Sequence, residues 1–246
     1  MEGNVHLKDT HGRTDRFVRY EMLWKKAALK LLDKVLSKQL QEKPVRVLDV
    51  GCGRGEMMQL LKQSGYYPEG TDSNRDCVEA GSQHGPCHLN EVGNLAGTFS
   101  QGHFDAVVAL HVLEHTNDPV AALSQMAKVS AQYIVIAVPN LSSPAFLNWG
   151  RNVSSCNRGH VCGWNHAHLK NLVTNICGLN LLGWGIDAVV PFNRLPPILH
   201  WLEALYCKSG LRLTLEEAFL PRVIPNLSNS VIALIGKHAD SSIGGK

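Results

Sequence analysis

Three stretches of the chain hold residues whose types and spacing can do chemistry. The first is Asp49-Val50-Gly51-Cys52-Gly53-Arg54-Gly55. Alternating glycines let a backbone turn tightly and approach a ligand closely. They sit where an apolar run hands over to a helical pattern, so they lead into a helix N-terminus with open N–H groups. A dinucleotide fingerprint would need glycine at position 56, and the residue there is Glu56. Acids at Asp49 and Glu56 suit a cationic ligand better than a pyrophosphate. The second stretch is Asp72-Ser73, 21 residues after Gly51. A carboxylate at the end of the second strand can accept both hydroxyl protons of a ribose. NAD enzymes use the same device, so Asp72 alone does not discriminate. The third is Phe104–His115, where Leu110 and His111 end an apolar run and Glu114 and His115 follow. His111 is placed to act as an acid or base, or to pack.

The elements that must hold these residues follow from periodicity. Residues 1–14 are polar and expected to be loose. Phe17, Tyr20, Trp24, Ala27, Ala28, Leu31 and Val35 recur at helical spacing, which predicts a helix from Asp15 to about Leu40. Pro44 ends it. Strands are expected at Val45–Val50, Tyr66–Thr71, Cys87–Leu89, Phe104–His111, Tyr133–Val138, Leu181–Val190 and Asn229–Gly236. Helices are expected at Glu56–Ser64, Arg75–Gln83 and about Ala167–Ile176, the last closed by Gly178. Asp118-Pro119 puts a capping residue before proline at the first position of a helix that runs to about Val129. Strands alternating with helices predict a doubly wound α/β fold, Rossmann-like, with helices on both faces of a seven-stranded sheet. Open sheets of this kind bind ligands at the carboxyl ends of their strands.

Length and composition bound the answer. The chain has 246 residues, 44% hydrophobic and 18% charged, enough for a substantial core and unlike a disordered chain. The net charge of +3 hides a division: residues 1–46 hold 11 Lys/Arg against 6 Asp/Glu, while the remainder holds 13 against 15. The body is slightly acidic and the N-terminal arm basic. No apolar run reaches the roughly 18 residues a membrane span needs, and Met1–Thr10 is polar. Seven cysteines without a CxxC pair point to free thiols in a reducing, cytoplasmic setting.

The glycine turn resembles motif I of the class I S-adenosylmethionine (SAM) methyltransferases, (D/E)xGxGxG. Thr71-Asp72-Ser73 is similar to that superfamily's second block. Glu91-Val92-Gly93-Asn94-Leu95 stands where the family places an acid that accepts from the adenine amino group. Phe104-Asp105…Val112-Leu113-Glu114-His115 looks like the FDxVxxxxVLEH block of quinone-type and related small-molecule enzymes. With Val138-Pro139-Asn140, the resemblance runs in order from about residue 45 to 140. A fainter echo follows at Gly159-His160…Trp164…Leu169. It implies SAM as cofactor, bound by Asp49, Gly51, Cys52, Gly53, Gly55, Asp72, Ser73, Glu91, Val92, Leu110 and His111. It also implies an antiparallel last strand in an otherwise parallel sheet. One domain over residues 1–246 is expected: an N-terminal helical cap (1–43), a cofactor core (44–140) and an acceptor-side region (141–246).

Methyl transfer asks the protein chiefly to align the acceptor and exclude water. A base is needed for a hydroxyl, a protonated amine or a carbon acid, and His111 is the candidate. Asn140, His160 and Trp164 are candidate substrate contacts. Glu114 and His115 are expected to shape the turn after the fourth strand. Cys156, His160, Cys162, His166 and His168 match no common zinc spacing, so no metal is expected there. The apolar segment Pro196–Cys207 would either cover the acceptor or pack as a plain helix. A small-molecule acceptor is the leading reading. Alternatives are a tRNA or protein acceptor, motivated by the basic arm, and a SAM-binding partner subunit without catalysis; an NAD oxidoreductase is disfavoured by Glu56. Asp72→Ala and Gly51→Ala are expected to weaken SAM binding at least tenfold, the first by removing the ribose acceptor and the second by crowding the turn. Calorimetry on the folded variants checks this.

Overall fold

The computed structural model describes residues 15–143, 159–187, 226 and 228–237; the side chains of 15–20 are excluded. The expected cap residues Phe17 and Tyr20, Cys156 and the segment Pro196–Cys207 therefore lie outside the described side chains. Helix α1 (Asp15–Glu42) leads into β1 (Arg46–Val50), α2 (Glu56–Gln63), β2 (Tyr67–Asp72), α3 (Arg75–Gly81) and β3 (Cys87–Leu89). Then come α4 (Leu95–Thr98), β4 (Phe104–Leu110), a 3₁₀ turn (Leu113–His115), α5 (Pro119–Val129) and β5 (Ser130–Pro139). The chain continues through α6 (His166–Asn171), β6 (Asn180–Gly185) and β7 (Ser230–Gly236).

The seven strands form one sheet in the order β3-β2-β1-β4-β5-β7-β6. β3, β2, β1, β4 and β5 pair in parallel, and β7 runs antiparallel to both β5 and β6. This is the expected Rossmann-like sheet, and it puts the carboxyl ends of β1, β2 and β4 on one edge. The sheet is apolar on both faces because it is covered on both. One core layer packs Leu48, Val50, Val107 and Ile136 against α4, α5 and α6; the other packs Val47, Ala106, Val108 and Val135 against Ala28, Leu32 and Leu36 of α1 and Leu61 of α2. No helix among the described residues is long and apolar enough to cross a membrane.

Boundaries moved where backbone pairing or side-chain chemistry overrode pattern. β5 begins at Ser130, three residues before the apolar run, because the ladder continues across an irregularity to Phe104. The expected helix to Ile176 keeps α geometry only from His166 to Asn171 and then widens into a π-type turn over Leu172–Ile176. Thr174 Oγ1 donates to the Lys170 carbonyl at 2.8 Å there, a back-bond that competes with the helical ladder. Asp118 caps α5 as its spacing predicts, accepting from Ala121 N–H at 2.9 Å.

The far end of α1 is fastened to the sheet by Asp105. Its carboxylate accepts from Arg46 N–H (2.9 Å), Gln39 Nε2 (2.7 Å) and Lys43 Nζ (3.0 Å). Burial alone would raise its pKa, but those three donors hold the carboxyl below the usual range. A carboxylate with a lowered folded pKa contributes stability above its unfolded pKa and loses it as pH falls through the folded one. Asp105→Asn is therefore expected to lower unfolding free energy by about 1–2 kcal/mol at neutral pH. In denaturant titrations the gap should narrow below about pH 4.

Candidate active site

The carboxyl ends of β1, β2 and β4 open onto a cleft of about 1350 Å³, more than the roughly 300–1,000 Å³ of a typical single-ligand site. Its floor is the turn after β1. Gly51 and Cys52 N–H groups both donate to the Thr71 carbonyl, at 2.8 and 2.9 Å, which ties this turn to β2. Gly51 has φ +69°, and a Cβ there would stand 2.6 Å from Val112 Cγ2, so both backbone and space demand glycine. A Cβ on Gly53 would meet nothing, which leaves that side of the turn open to a ligand. Gly55 differs from its expected role. It does not line the cleft; it packs α2 onto α3, with Gly81 Cα 3.1 Å from where its Cβ would be.

Asp72 stands at the end of β2 as its spacing requires. Its oxygens accept from Gly53 N–H (3.0 Å) and Asn74 N–H (2.9 Å), which orients the carboxylate and leaves a lone pair on each oxygen for a ribose hydroxyl. Ser73, Cys52, Glu91, Val92, Leu110 and His111 all line the same cleft. Asp49 lies beneath it, 2% exposed, with one carboxylate oxygen that meets no hydrogen-bond partner among the described residues. Burial pushes its pKa up to about 8; neighbouring Glu56 and Asp72 add to the rise and Lys25 opposes it. Lys25 reaches over from α1 to Glu56 (3.4 Å) and Glu21 (3.8 Å), and it lines the cleft beside Trp24. A buried carboxylate with further acids beside it, an open glycine turn and a carboxylate at the end of β2 make a lining whose chemistry suits a ligand with a ribose and a cationic end, as SAM has.

The β4 side of the cleft is built around His111. It is the one non-glycine with positive φ among the described residues, at +59°, and its N–H is held by the Ala137 carbonyl at 2.7 Å. Such a backbone costs on the order of 1 kcal/mol and recurs at functional positions. Nδ1 lies 3.0 Å from Glu114 Oε1 and Nε2 lies 3.3 Å from Ser230 Oγ. A carboxylate accepts, so Nδ1 carries a proton, while Nε2 faces the hydroxyl of Ser230, which is buried in β7. The ring packs against Trp24 of α1 at a 4.5 Å centroid distance.

Glu114 lies in the 3₁₀ turn expected of it, and its side chain, 1% exposed, also reaches His111 Nδ1. The glutamate three residues after His111, on the turn that ends β4, was the signal for it. Asn140 and Trp164 are corrected as substrate contacts. Asn140 is fully buried and commits both amide protons to the Asn226 and Ser228 carbonyls, at 2.9 and 2.7 Å, and its oxygen to Ser142 N–H. Trp164 bridges to Asn140 and packs in the core, 7% exposed. His160 is half-buried with its ring edge-on to His115 at 4.8 Å. Among the described residues Cys162, His166 and His168 join no group of three ligating side chains; Glu114, His115 and His160 do, with donor atoms within 4.8 Å of one another.

Comparison with known proteins places the chain in a family. Residues 16–182 match the family described as "Methyltransferase domain". The ubiquinone biosynthesis O-methyltransferase of Xanthomonas axonopodis pv. citri is 28% identical over 148 residues, 52% of this chain and 62% of that protein. The matched segments span about 41% to 62% of the first such relatives. Magnesium protoporphyrin IX methyltransferase from Synechocystis PCC 6803, solved with bound S-adenosylhomocysteine, superposes with TM-score 0.58 at 13% identity, covering 92% of this chain and 88% of that one. The plantazolicin methyltransferase BamL gives TM-score 0.59 at 15% identity, covering 89% and 88%. These two likenesses concern the fold.

Asp49 yields a direct test. Below about pH 8 burial holds it protonated, and a cationic ligand would favour the ionised form. SAM affinity is therefore expected to weaken as pH falls below that value, by up to about tenfold per unit for one coupled proton. Calorimetry in buffers of different ionisation enthalpy should report proton release on binding, and Asp49→Asn should abolish it. With the glycine turn, the ribose acceptor and the block after β4 meeting at one sheet edge, and with 16–182 matched, the chain belongs to the methyltransferase-domain family.

Proposed function

We propose that the protein transfers the methyl group of SAM to an oxygen of a small-molecule acceptor. The observation that carries this reading is the Glu114–His111 pair, fixed at the edge of the cleft, with His111 Nε2 3.3 Å from Ser230 Oγ. SAM supplies an electrophilic methyl carbon when bound. Asp72 would hold the ribose, the glycine turn would accommodate the amino-acid portion, and Asp49 with Glu56 would face the cationic end. Trp24 and Lys25 of α1 would cover the ligand and limit water. His111 Nε2 would take the acceptor's hydroxyl proton, passed or shared with Ser230 Oγ, while Glu114 stabilises the imidazolium that forms.

The relatives named as O-methyltransferases support an oxygen acceptor. The cleft's size supports a second small molecule beside SAM. We extend the same reading to the whole chain as one domain that works in the cytoplasm. A tRNA or protein acceptor has no observation in its favour within the described cleft.

Incubation of the protein with methyl-labelled SAM and a pool of phenolic and enolic compounds, followed by mass spectrometry, tests the activity. Label on oxygen is expected; binding of SAM with no transfer to any oxygen would overturn it. His111→Ala is expected to lower kcat by about 10²–10⁴ while S-adenosylhomocysteine still binds. Glu114→Gln should lower kcat less and keep SAM affinity, since it acts through His111.

A further inference from the structure

We propose that Glu114, His115 and His160 form a binding site for a divalent transition-metal ion of the zinc type, at the acceptor side of the cleft. Each offers a ligand atom, and the three atoms lie within 4.8 Å of one another. Ligands about 2.0–2.2 Å from a tetrahedral ion sit roughly 3.4 Å apart, so the side chains need close by no more than about 1.5 Å.

Three features show a prepared site. His115 Nδ1 lies 3.1 Å from the Gly159 carbonyl. A carbonyl only accepts, so Nδ1 is the protonated nitrogen and Nε2 the one able to ligate. A backbone carbonyl on the far nitrogen is the usual means of fixing a metal-binding histidine. Glu114 Oε1 is engaged by His111, while Oε2 is buried and meets no hydrogen-bond partner among the described residues. Glu114 is 1% exposed, so a buried carboxylate oxygen is left facing a demand that a cation would meet. Finally, the segment that brings His160 is pinned to the same turn, with Val161 N–H donating to the Glu114 carbonyl at 2.7 Å and Cys162 N–H at 3.4 Å.

The donor set selects the ion. Two imidazoles and one carboxylate suit zinc and its neighbours, whereas magnesium and calcium take oxygen. Three protein ligands leave a position open, as in catalytic zinc sites. His115 lines the cleft with His111, so an acceptor hydroxyl reaching that position would be held and acidified beside the base. This role rests on the methyl-transfer reading. The acceptor O–H would lose its proton to His111 Nε2; the oxygen would form the bond to the methyl carbon as the carbon–sulfur bond breaks with its pair to sulfur. Acceptors with a second oxygen next to the hydroxyl would chelate the ion and be preferred.

The test uses the full chain, stripped with chelator and titrated with Zn²⁺ against a chromophoric competitor, then with Co²⁺ followed by visible absorption. One equivalent is expected, with the d–d bands of four- or five-coordinate cobalt. His115→Ala and His160→Ala should each weaken binding at least tenfold, and His160→Gln serves as a second, milder variant. Binding of S-adenosylhomocysteine is measured on the same samples and is expected to persist in His160→Ala. Folded protein that binds S-adenosylhomocysteine but no metal would overturn the site, as would metal binding that survives both histidine variants. Metal bound as expected, with turnover indifferent to chelator, would overturn its role toward the acceptor while leaving the methyl-transfer reading intact.

Discussion

Gly51 and Val112 touch where the ends of β1 and β4 lie side by side, and the cleft takes its shape from that contact. The two strands are neighbours in parallel register, so their carboxyl ends emerge together. Val112 follows His111 in the chain and fills the space a side chain on Gly51 would occupy. The contact sets how far the glycine turn stands from His111 beside it. Anything that widened it would move the two sides of the cleft apart at once. The same edge is held from the other side by the Thr71 carbonyl, which takes two N–H groups of the turn. The cofactor floor is thus part of the sheet rather than a loop attached to it, and it inherits the sheet's rigidity.

Charge gives the cleft its second constraint. Asp49, Glu56, Glu21 and Asp72 gather acid around a small volume, with Lys25 among them. Burial pushes the pKa of Asp49 up to about 8, with Glu56 and Asp72 adding to the rise and Lys25 opposing it. Lys25 belongs to α1, whose other end is tied to β4 through Asp105. Helix α1 thus lies over the sheet: its apolar stripe packs on one face, and Lys25 reaches Glu56.

Much of this was legible in residue order. The glycine spacing, Asp72 after the second strand and Asp118 before Pro119 act over a few residues, where local geometry decides the outcome. Long-range partners were not legible. Glu114 reads as a turn residue until His111 adopts a positive φ and turns its ring back upon it. Asn140 follows the fifth strand, where a substrate contact is expected, yet its amide closes a joint with Asn226 and Ser228, 86 and 88 residues away. Gly55 belongs by spacing to the cofactor turn and by packing to the α2–α3 contact. His160 and His115 are 45 residues apart, and no spacing rule links them.

The sequence by itself determined the sheet, the glycine turn after β1 and the acid at the end of β2. Apolar runs, glycine at alternate positions and a carboxylate at a strand end are specified by their immediate neighbours. Only the tertiary structure decided which polar side chains face the cleft and which close the core. Hydrogen-bond partners far apart in sequence compete for each buried group, and the winner is set by which elements pack together. That competition made Asn140 and Trp164 structural, joined Glu114 to His111, and brought His115 to His160 at the acceptor side.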